Sequence, residues 1–228
     1  MSAMNARGWR LVLLGPPGVG KGTQARLLSQ TFRIPEIGTG DIFRNAVKER
    51  TPMGVAAKTY MDAGKLVPDD VTIGLVEERL RVDDARNGFI LDGFPRTTQQ
   101  ATALDALVHR NNLRLDAVLE ITVDAAELVR RLTGRRSCAV CQTPYHLESA
   151  PSRLPDTCDR CGGPLVQRPD DDEQIVLKRL DEYERKTKPL TEYYRAAGVL
   201  VPIDGNGDVA SVNGRIMAAL QTPVGPSE

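Results

Sequence analysis

Short apolar runs alternate with longer stretches of helical periodicity along most of this chain. Residues 10–14 (RLVLL) are apolar at their last four positions and stop at Gly15, the pattern of a short buried strand. Beyond a glycine-rich turn, Ala25, Leu28 and Phe32 recur at i, i+3 and i+7 and predict one face of a helix. Residues 34–37 predict a second strand, kept short or peripheral by Pro35. Thr39, Gly40 and Asp41 open a helix that runs to Lys48. Thr51 and Pro52 open another over 53–63, closed by Gly64. Pro68, Asp69 and Asp70 suit the first turn of a third helix, which continues to Leu80.

The alternation persists in the second half. Asn87-Gly88 turns the chain into a β-prone run at 89–91 that ends at Asp92. A helix over 98–110, a strand over 117–123 and a helix capped by Asp124 and running to Leu132 follow. After a cysteine-bearing insert, a long helical pattern from Asp172 towards Ala197 is interrupted by Pro189, which should kink or split it. A last strand over 199–203, a loop at Asp204-Gly-Asn-Gly and a helix over 209–220 close the pattern. The tail TPVGPSE is expected to fray.

Five short apolar strands separated by helices predict an α/β fold, with a five-stranded parallel sheet flanked by helices on both faces. Ligands of such sheets bind at the carboxyl ends of the strands, where the glycine turn and Asp92 both fall. The 228 residues suffice for one large domain carrying inserted subdomains. Zero formal net charge gives no electrostatic case for a nucleic-acid or membrane partner. The apolar run after the basic N-terminus is too short for a signal peptide, and no stretch matches a membrane span, so a cytoplasmic location is expected.

Three stretches carry chemistry. In LVLLGPPGVGKGT (11–23), glycines at 15, 18, 20 and 22 allow successive amides to face one hollow at a helix N-terminus, a ready polyphosphate site. Lys21 supplies a point charge for the outer phosphates. Gly15, Gly20 and Lys21 meet the G-x4-G-K spacing, but Gly22 stands before Thr23 where the general pattern has Ser or Thr. In GFILDGFPR (88–96) an apolar strand ends in Asp92, which is either a magnesium-holding carboxylate or simply a turn-capping aspartate before Gly93. Cys138-x2-Cys141 and Cys158-x2-Cys161 contain the only four cysteines and read as a tetrahedral, four-thiolate structural zinc site. Two disulfides would suit an oxidising compartment, and a redox pair would need one C-x2-C only. His146 lies nearby, but a shell of four thiolates needs no fifth ligand. His109 is the only other histidine, so no histidine constellation exists for base catalysis.

Taken together, GPPGVGKGTQ, TGDIFR, DAGKLVPDD, LDGFPRT and GRR resemble the motif set of adenylate kinases, in that family's order, from Leu11 to about Val209. Gly22 before Thr23 is what this family shows. The resemblance implies a phosphate-loop kinase with two mobile inserts: a core of 10–38, 68–133 and 172–220, an AMP-binding insert of 39–67 and a zinc-binding lid of 134–171. It implies that Gly18, Val19, Gly20, Lys21, Gly22 and Thr23 wrap the ATP phosphates. Arg131, Arg135, Pro144, Tyr145 and Gly207 would lie against ATP. Thr39, Arg44, Lys65, Leu66, Val67, Gly93, Phe94, Pro95, Arg96 and Gln100 would bind AMP, with Arg44 and Arg96 on its phosphate and Thr39 and Gln100 near its adenine. Arg168 and Arg179 would reach the transferring phosphates from the AMP side. Lys21, Arg96, Arg135, Arg168 and Arg179 would carry the catalysis, and Asp41 and Asp92 would hold waters of the magnesium shell. Cofactors implied are Mg2+ with ATP and structural Zn2+; partners are ATP, AMP and ADP, acting on a monomer.

Two other readings differ in kind. A kinase of the same fold could take UMP, CMP or GMP, because hydrogen bonds to the base decide the acceptor. A zinc-ribbon binding module could use the phosphate loop as a nucleotide switch, but it would need neither DGFPR nor the arginines, and the chain has no basic or aromatic stripe for nucleic acid.

Overall fold

The computed structural model describes residues 8–221. The expected fraying of TPVGPSE lies outside them. Among the described residues a central sheet holds five strands: β1 (Arg10–Leu14), β2 (Glu36–Gly38), β3 (Phe89–Asp92), β4 (Ala117–Thr122) and β8 (Leu200–Asp204). All neighbouring pairs are parallel, in the order β2-β3-β1-β4-β8. The expected α/β class and five-stranded parallel sheet are both present.

Both faces of the sheet are covered, which is why its strands read as apolar runs. Leu11, Leu13, Ile90, Leu119 and Ile121 face one core with Ala25 and Leu28 of α1 (Lys21–Phe32) and Ile216 of α9 (Val209–Gln221). Val12, Leu14, Leu91 and Val118 face the other, against Val76 of α4 (Asp69–Leu80), Leu104 of α5 (Thr98–Arg110) and Tyr194 of α8 (Leu190–Ala196). The chain therefore leaves β1 towards one face through α1 and leaves the adjacent β3 towards the other through α5. Loops departing to opposite faces open a crevice at the carboxyl ends of β1 and β3.

Two segments rise over that crevice. One holds α2 (Thr39–Lys48) and α3 (Pro52–Asp62), the latter capped by the Thr51 hydroxyl accepting from Gly54 N–H. The other, after α6 (Ala125–Thr133), forms an antiparallel sheet of β5 (Arg135–Cys138), β6 (Pro144–His146) and β7 (Leu165–Val166), in the order β6-β5-β7. These three strands are too short to show a period in the sequence, and the expectation held only a stapled insert.

Some details differ from these expectations and one is met. The second strand begins at Glu36, because Ile34 N–H still bonds Ser29 O at the end of α1. The last strand runs one residue later than expected. Asp124 occupies the cap position of α6 without a side-chain cap bond; its carbonyl alone receives Glu127 and Leu128 N–H. The long pattern after Asp172 does split: α7 (Glu173–Glu182) widens into a π-turn at Tyr183–Thr187, and Pro189 then precedes α8. No described helix is long and apolar enough to cross a membrane.

Candidate functional site

One cavity of about 890 Å³ occupies the crevice and the space beneath both overhanging segments. Every residue expected to touch nucleotide lines it except Phe94. Phe94 is 2% exposed and packs in the second core, so the strand end that presents Gly93, Pro95 and Arg96 to the cavity turns this ring inward.

At the cavity floor the phosphate loop needs its glycines for different reasons. Gly15 has φ +142° and a Cβ there would lie 2.4 Å from Ile121 O; Gly20 sits at the N-cap of α1 with φ +101°. Gly22 is ordinary in backbone, but a Cβ would come 3.2 Å from Asp92 Oδ2. The departure from the general loop pattern therefore falls where the Asp92 carboxylate comes close to the helix. Lys21 Nζ donates to Gly15 O at 2.7 Å and Pro16 O at 2.9 Å. Burial pushes its pKa down to about 8; Asp92 opposes that, while Arg96, Arg179 and Arg135 add to it.

Arginines crowd the rest of the wall, and their mutual repulsion is offset by a few acids. Arg135 grips Asp171 with two bonds of 2.8 and 2.5 Å, and Arg179 reaches the same carboxylate at 3.2 Å and Asp170 Oδ2 at 3.0 Å. Burial opposes the Arg135 charge, yet the Asp171 carboxylate holds its pKa up. Arg96 and Arg168 lack such partners in strength: burial, then Arg179 for one and Arg44 for the other, push each down to about 10. Arg44 donates to Asp41 Oδ1 at 2.5 Å, and Arg168 Nη2 lies 3.9 Å from the same oxygen. Asp41 therefore bridges α2 and the segment after β7. A second link between the overhanging segments runs from Lys48 Nζ to Ala139 O, at 3.4 Å. Arg131 bonds Glu127 at 2.8 Å and approaches Gly205 O in the loop that also carries Gly207.

On the far side, hydrogen bonds fix the DGFPR turn. Thr39 Oγ1 and Arg96 Nε both donate to Gly93 O, at 2.9 and 2.8 Å. Gln100 accepts from Arg96 N–H at 2.7 Å and donates to Asp69 Oδ1 at 2.6 Å. Thr187 of the π-turn donates to Arg96 O at 2.9 Å. Lys65, Leu66 and Val67 complete this end of the cavity.

Sequence reasoning missed several of these residues. Asp170 and Asp171 position two arginines, and the run PDDD after Arg168 was the available signal. Thr187 had none, since the π-turn that brings it to Arg96 leaves no periodicity. Glu36 also lines the cavity; burial, then Asp92 and Asp41, push its pKa up to about 7, with Arg26 opposing. An acid inside a presumed strand gives no hint of that neighbourhood.

Away from the cavity floor, the four cysteine sulfurs lie within 4.8 Å of one another, and the thiols are free of disulfides. Sγ–Sγ separations of 3.4, 3.4 and 3.6 Å approach the roughly 3.8 Å edge of a tetrahedron with 2.3 Å zinc–sulfur bonds. Each C-x2-C unit closes by the same turn: Gln142 N–H bonds Cys138 O and Gly162 N–H bonds Cys158 O, with positive φ at Gln142 and Gly162. Four soft donors at tetrahedral separation fit zinc. His146 stays outside this group; its Nδ1 accepts the N–H of Glu148 and Ser149.

Known proteins place the chain consistently. The family profile described as adenylate kinase matches residues 13–199. An adenylate kinase of Geobacter sp. (strain M21) is 57% identical over 92% of this chain and 99% of its own length. Those of Acidothermus cellulolyticus and Moorella thermoacetica are 53% and 55% identical, over 93% and 89% of this chain and 98% and 94% of their own lengths.

Proposed function

Because the chain belongs to the adenylate kinase family and is a phosphotransferase of the ATP:AMP type, we propose that it performs the reversible reaction MgATP + AMP ⇌ 2 ADP within the cavity over the phosphate loop. The observation that carries this reading is the convergence of Lys21, Arg96, Arg135, Arg168 and Arg179 on one cavity whose acids leave part of that charge unmatched. Phosphoryl transfer passes through a loose, highly charged transition state, so alignment and neutralisation supply most of the catalysis. The acceptor is a phosphate oxygen already ionised, and no general base is required.

In this reading Gly18, Val19, Gly20, Lys21, Gly22 and Thr23 cradle the ATP phosphates, and Lys21 trades its loop carbonyls for phosphate oxygens. Arg131, Arg135, Pro144, Tyr145 and Gly207 cover the donor nucleotide. Arg44 and Arg96 hold the AMP phosphate, while Thr39, Gln100, Lys65, Leu66, Val67, Gly93 and Pro95 shape the acceptor pocket. Gln100 keeps the Arg96 backbone in place through its own bond to Asp69, and Phe94 serves from the core. Arg168 and Arg179, anchored by Asp41, Asp170 and Asp171, face the phosphoryl group in transit. Fork-shaped guanidiniums suit that task, since they stay charged and bind two oxygens at once.

Adenylate kinases use Mg2+ with ATP, and the hard carboxylates Asp92 and Asp41 are the donors here that fit its water shell. The ion supplies further neutralisation of the phosphates. Cys138, Cys141, Cys158 and Cys161 would hold zinc, and four thiolate ligands would give that ion a structural role in the lid and none in transfer. Residues 39–67 and 134–171 act as covers over a core of 10–38, 68–133 and 172–220, and their meeting excludes water from the phosphoryl group. The residues assigned to both nucleotides all come from one chain, which supports a monomer as the acting unit. Reduced thiols suit the cytoplasm.

The test is ADP formation from MgATP with AMP, GMP, UMP and CMP, before and after a strong chelator. Turnover with AMP alone supports the acceptor assignment. Preference for another monophosphate moves the function to a sister kinase, and absence of transfer with ATP still bound overturns the kinase reading in favour of a nucleotide-switched module.

A further inference from the structure

One cysteine sulfur has a non-cysteine partner from outside its own turn. Tyr145 Oη donates to Cys158 Sγ at 3.4 Å and accepts the Asp159 N–H at 2.8 Å. The other non-cysteine bonds to these sulfurs are local: Val140 and Cys141 N–H reach Cys138 Sγ, and Thr143 Oγ1 lies 3.1 Å from Cys141 Sγ. Backbone bonds such as Ala139 N–H to Pro164 O also join the two C-x2-C hairpins. Among the described residues, the Tyr145 bond is the one from a non-cysteine side chain of the first hairpin to a sulfur of the second.

Its place in β6 gives that bond a second consequence. Alternation along the strand puts Tyr145 on one face and its neighbours Pro144 and His146 on the other, and all three border the nucleotide cavity. The β5–β6 ladder pairs Tyr145 with Arg136 and His146 with Arg135, the arginine that grips Asp171. A short path of bonds therefore runs from the buried Cys158, 1% exposed, through the phenol to the strand pair that presents Arg135.

We propose that Tyr145 is a positioning residue whose hydroxyl ties the metal-bound Cys158 to β6, so that loading the cysteine cluster sets the cover over the donor nucleotide. This rests on the metal and donor-cover assignments made above. The physical basis is that an O–H bond to a thiolate is charge-assisted and stronger than one to a thiol. Partners of metal ligands fix ligand orientation in the same way.

The test compares the zinc-loaded full chain with Tyr145→Phe, which keeps the ring. Three quantities are read: metal transfer to a chromogenic chelator, the thiolate-to-cobalt absorption of Co2+-loaded protein, and KM for ATP and for AMP. Loss of the hydroxyl should weaken metal binding about 10-fold, move the charge-transfer band to lower energy and raise KM for ATP with KM for AMP held. Equal metal transfer with superimposable cobalt spectra overturns the proposal, as does an equal rise in both KM values. If the variant does not fold, the wild-type chain loaded with 113Cd decides: a scalar coupling from cadmium through sulfur to the Tyr145 hydroxyl proton supports the bond, and its absence removes it. A wild-type chain that takes up neither cobalt nor cadmium overturns the metal assignment itself, and with it this proposal.

Discussion

The central sheet and the cysteine-bearing segment solve the same problem, holding charged groups at fixed positions, by opposite means. Around the phosphate loop, two apolar cores clamp the strands, and Leu11, Val12, Ile90 and Leu91 are fully buried. The segment at 134–171 has strands of two to four residues, and Val140, Leu147, Leu154 and Val166 on it are exposed. Its inward side is made of sulfurs, hydrogen bonds and an arginine–carboxylate clasp. A rigid floor suits a group proposed to meet phosphate at one place, whereas the proposed mobile cover is better built as a small unit with its own staple.

Removing the metal should divide the two regions most sharply. Structural zinc contributes about 10–16 kcal/mol to folding of small metal modules, and the cysteine segment has little apolar burial to replace it. Chelated protein should melt in two stages by calorimetry, the segment first, with the core transition near its original temperature. A single cooperative transition would show that the two regions are one unit.

Lys21→Met should act on the other side of the comparison. Loss of a charge aimed at the transferring phosphates costs about 3–4 kcal/mol of transition-state stabilisation, or 10²–10³ in kcat. Melting temperature should hold or rise, because the desolvated lysine no longer has to be accommodated. The sign follows from its lowered pKa: the folded chain releases this proton at about pH 8, below the ordinary 10.5, so the charged form is disfavoured by folding. Nucleotide binding at pH 8.5 should accordingly take up protons in the wild type and not in the variant, as read by calorimetry in buffers of different ionisation enthalpy.

Asp171→Asn tests the border between the regions. Arg135 and Arg179 both depend on that carboxylate, which is fully buried. Weakening the clasp should lower kcat/KM by about 10–100-fold, equivalent to 1–3 kcal/mol of lost hydrogen bonding, with zinc content unchanged by metal analysis. Zinc loss in this variant would mean that the clasp also holds the cysteine cluster.

The smallest effect belongs to Glu36→Gln. The carboxyl of Glu36 is raised to about 7, so the wild-type fold loses stability as pH climbs through the interval from 4.5 to 7, while below 4.5 both states are protonated and the contribution is intact. The glutamine variant should show a flatter dependence of melting temperature between pH 5 and 8 and be the more stable at pH 8. Parallel curves would place the Glu36 carboxylate in water, not against Asp92.

Residues 10–14, 98–110 and the paired C-x2-C units were legible because their signals are local. An apolar run ended by glycine, a helical period and a ligand spacing each lie within a few residues. The same holds for Gly15, Gly20 and Lys21, whose order along the chain is the mechanism of the loop. What the sequence could not supply is who faces whom. Gly22 reads as an oddity until the Asp92 carboxylate appears 3.2 Å from where its Cβ would be. Phe94 sits in the middle of DGFPR yet turns into the core. Thr187 reaches Arg96 only because a π-turn shifts the helix register. Asp171 and Tyr145 become more than a solvated acid and a strand residue once β5, β6 and β7 fold over the cavity. Local chemistry and period come from neighbours in the chain. Partnership between distant side chains is set by packing, which brings together residues separated by tens of positions and leaves no trace in their spacing.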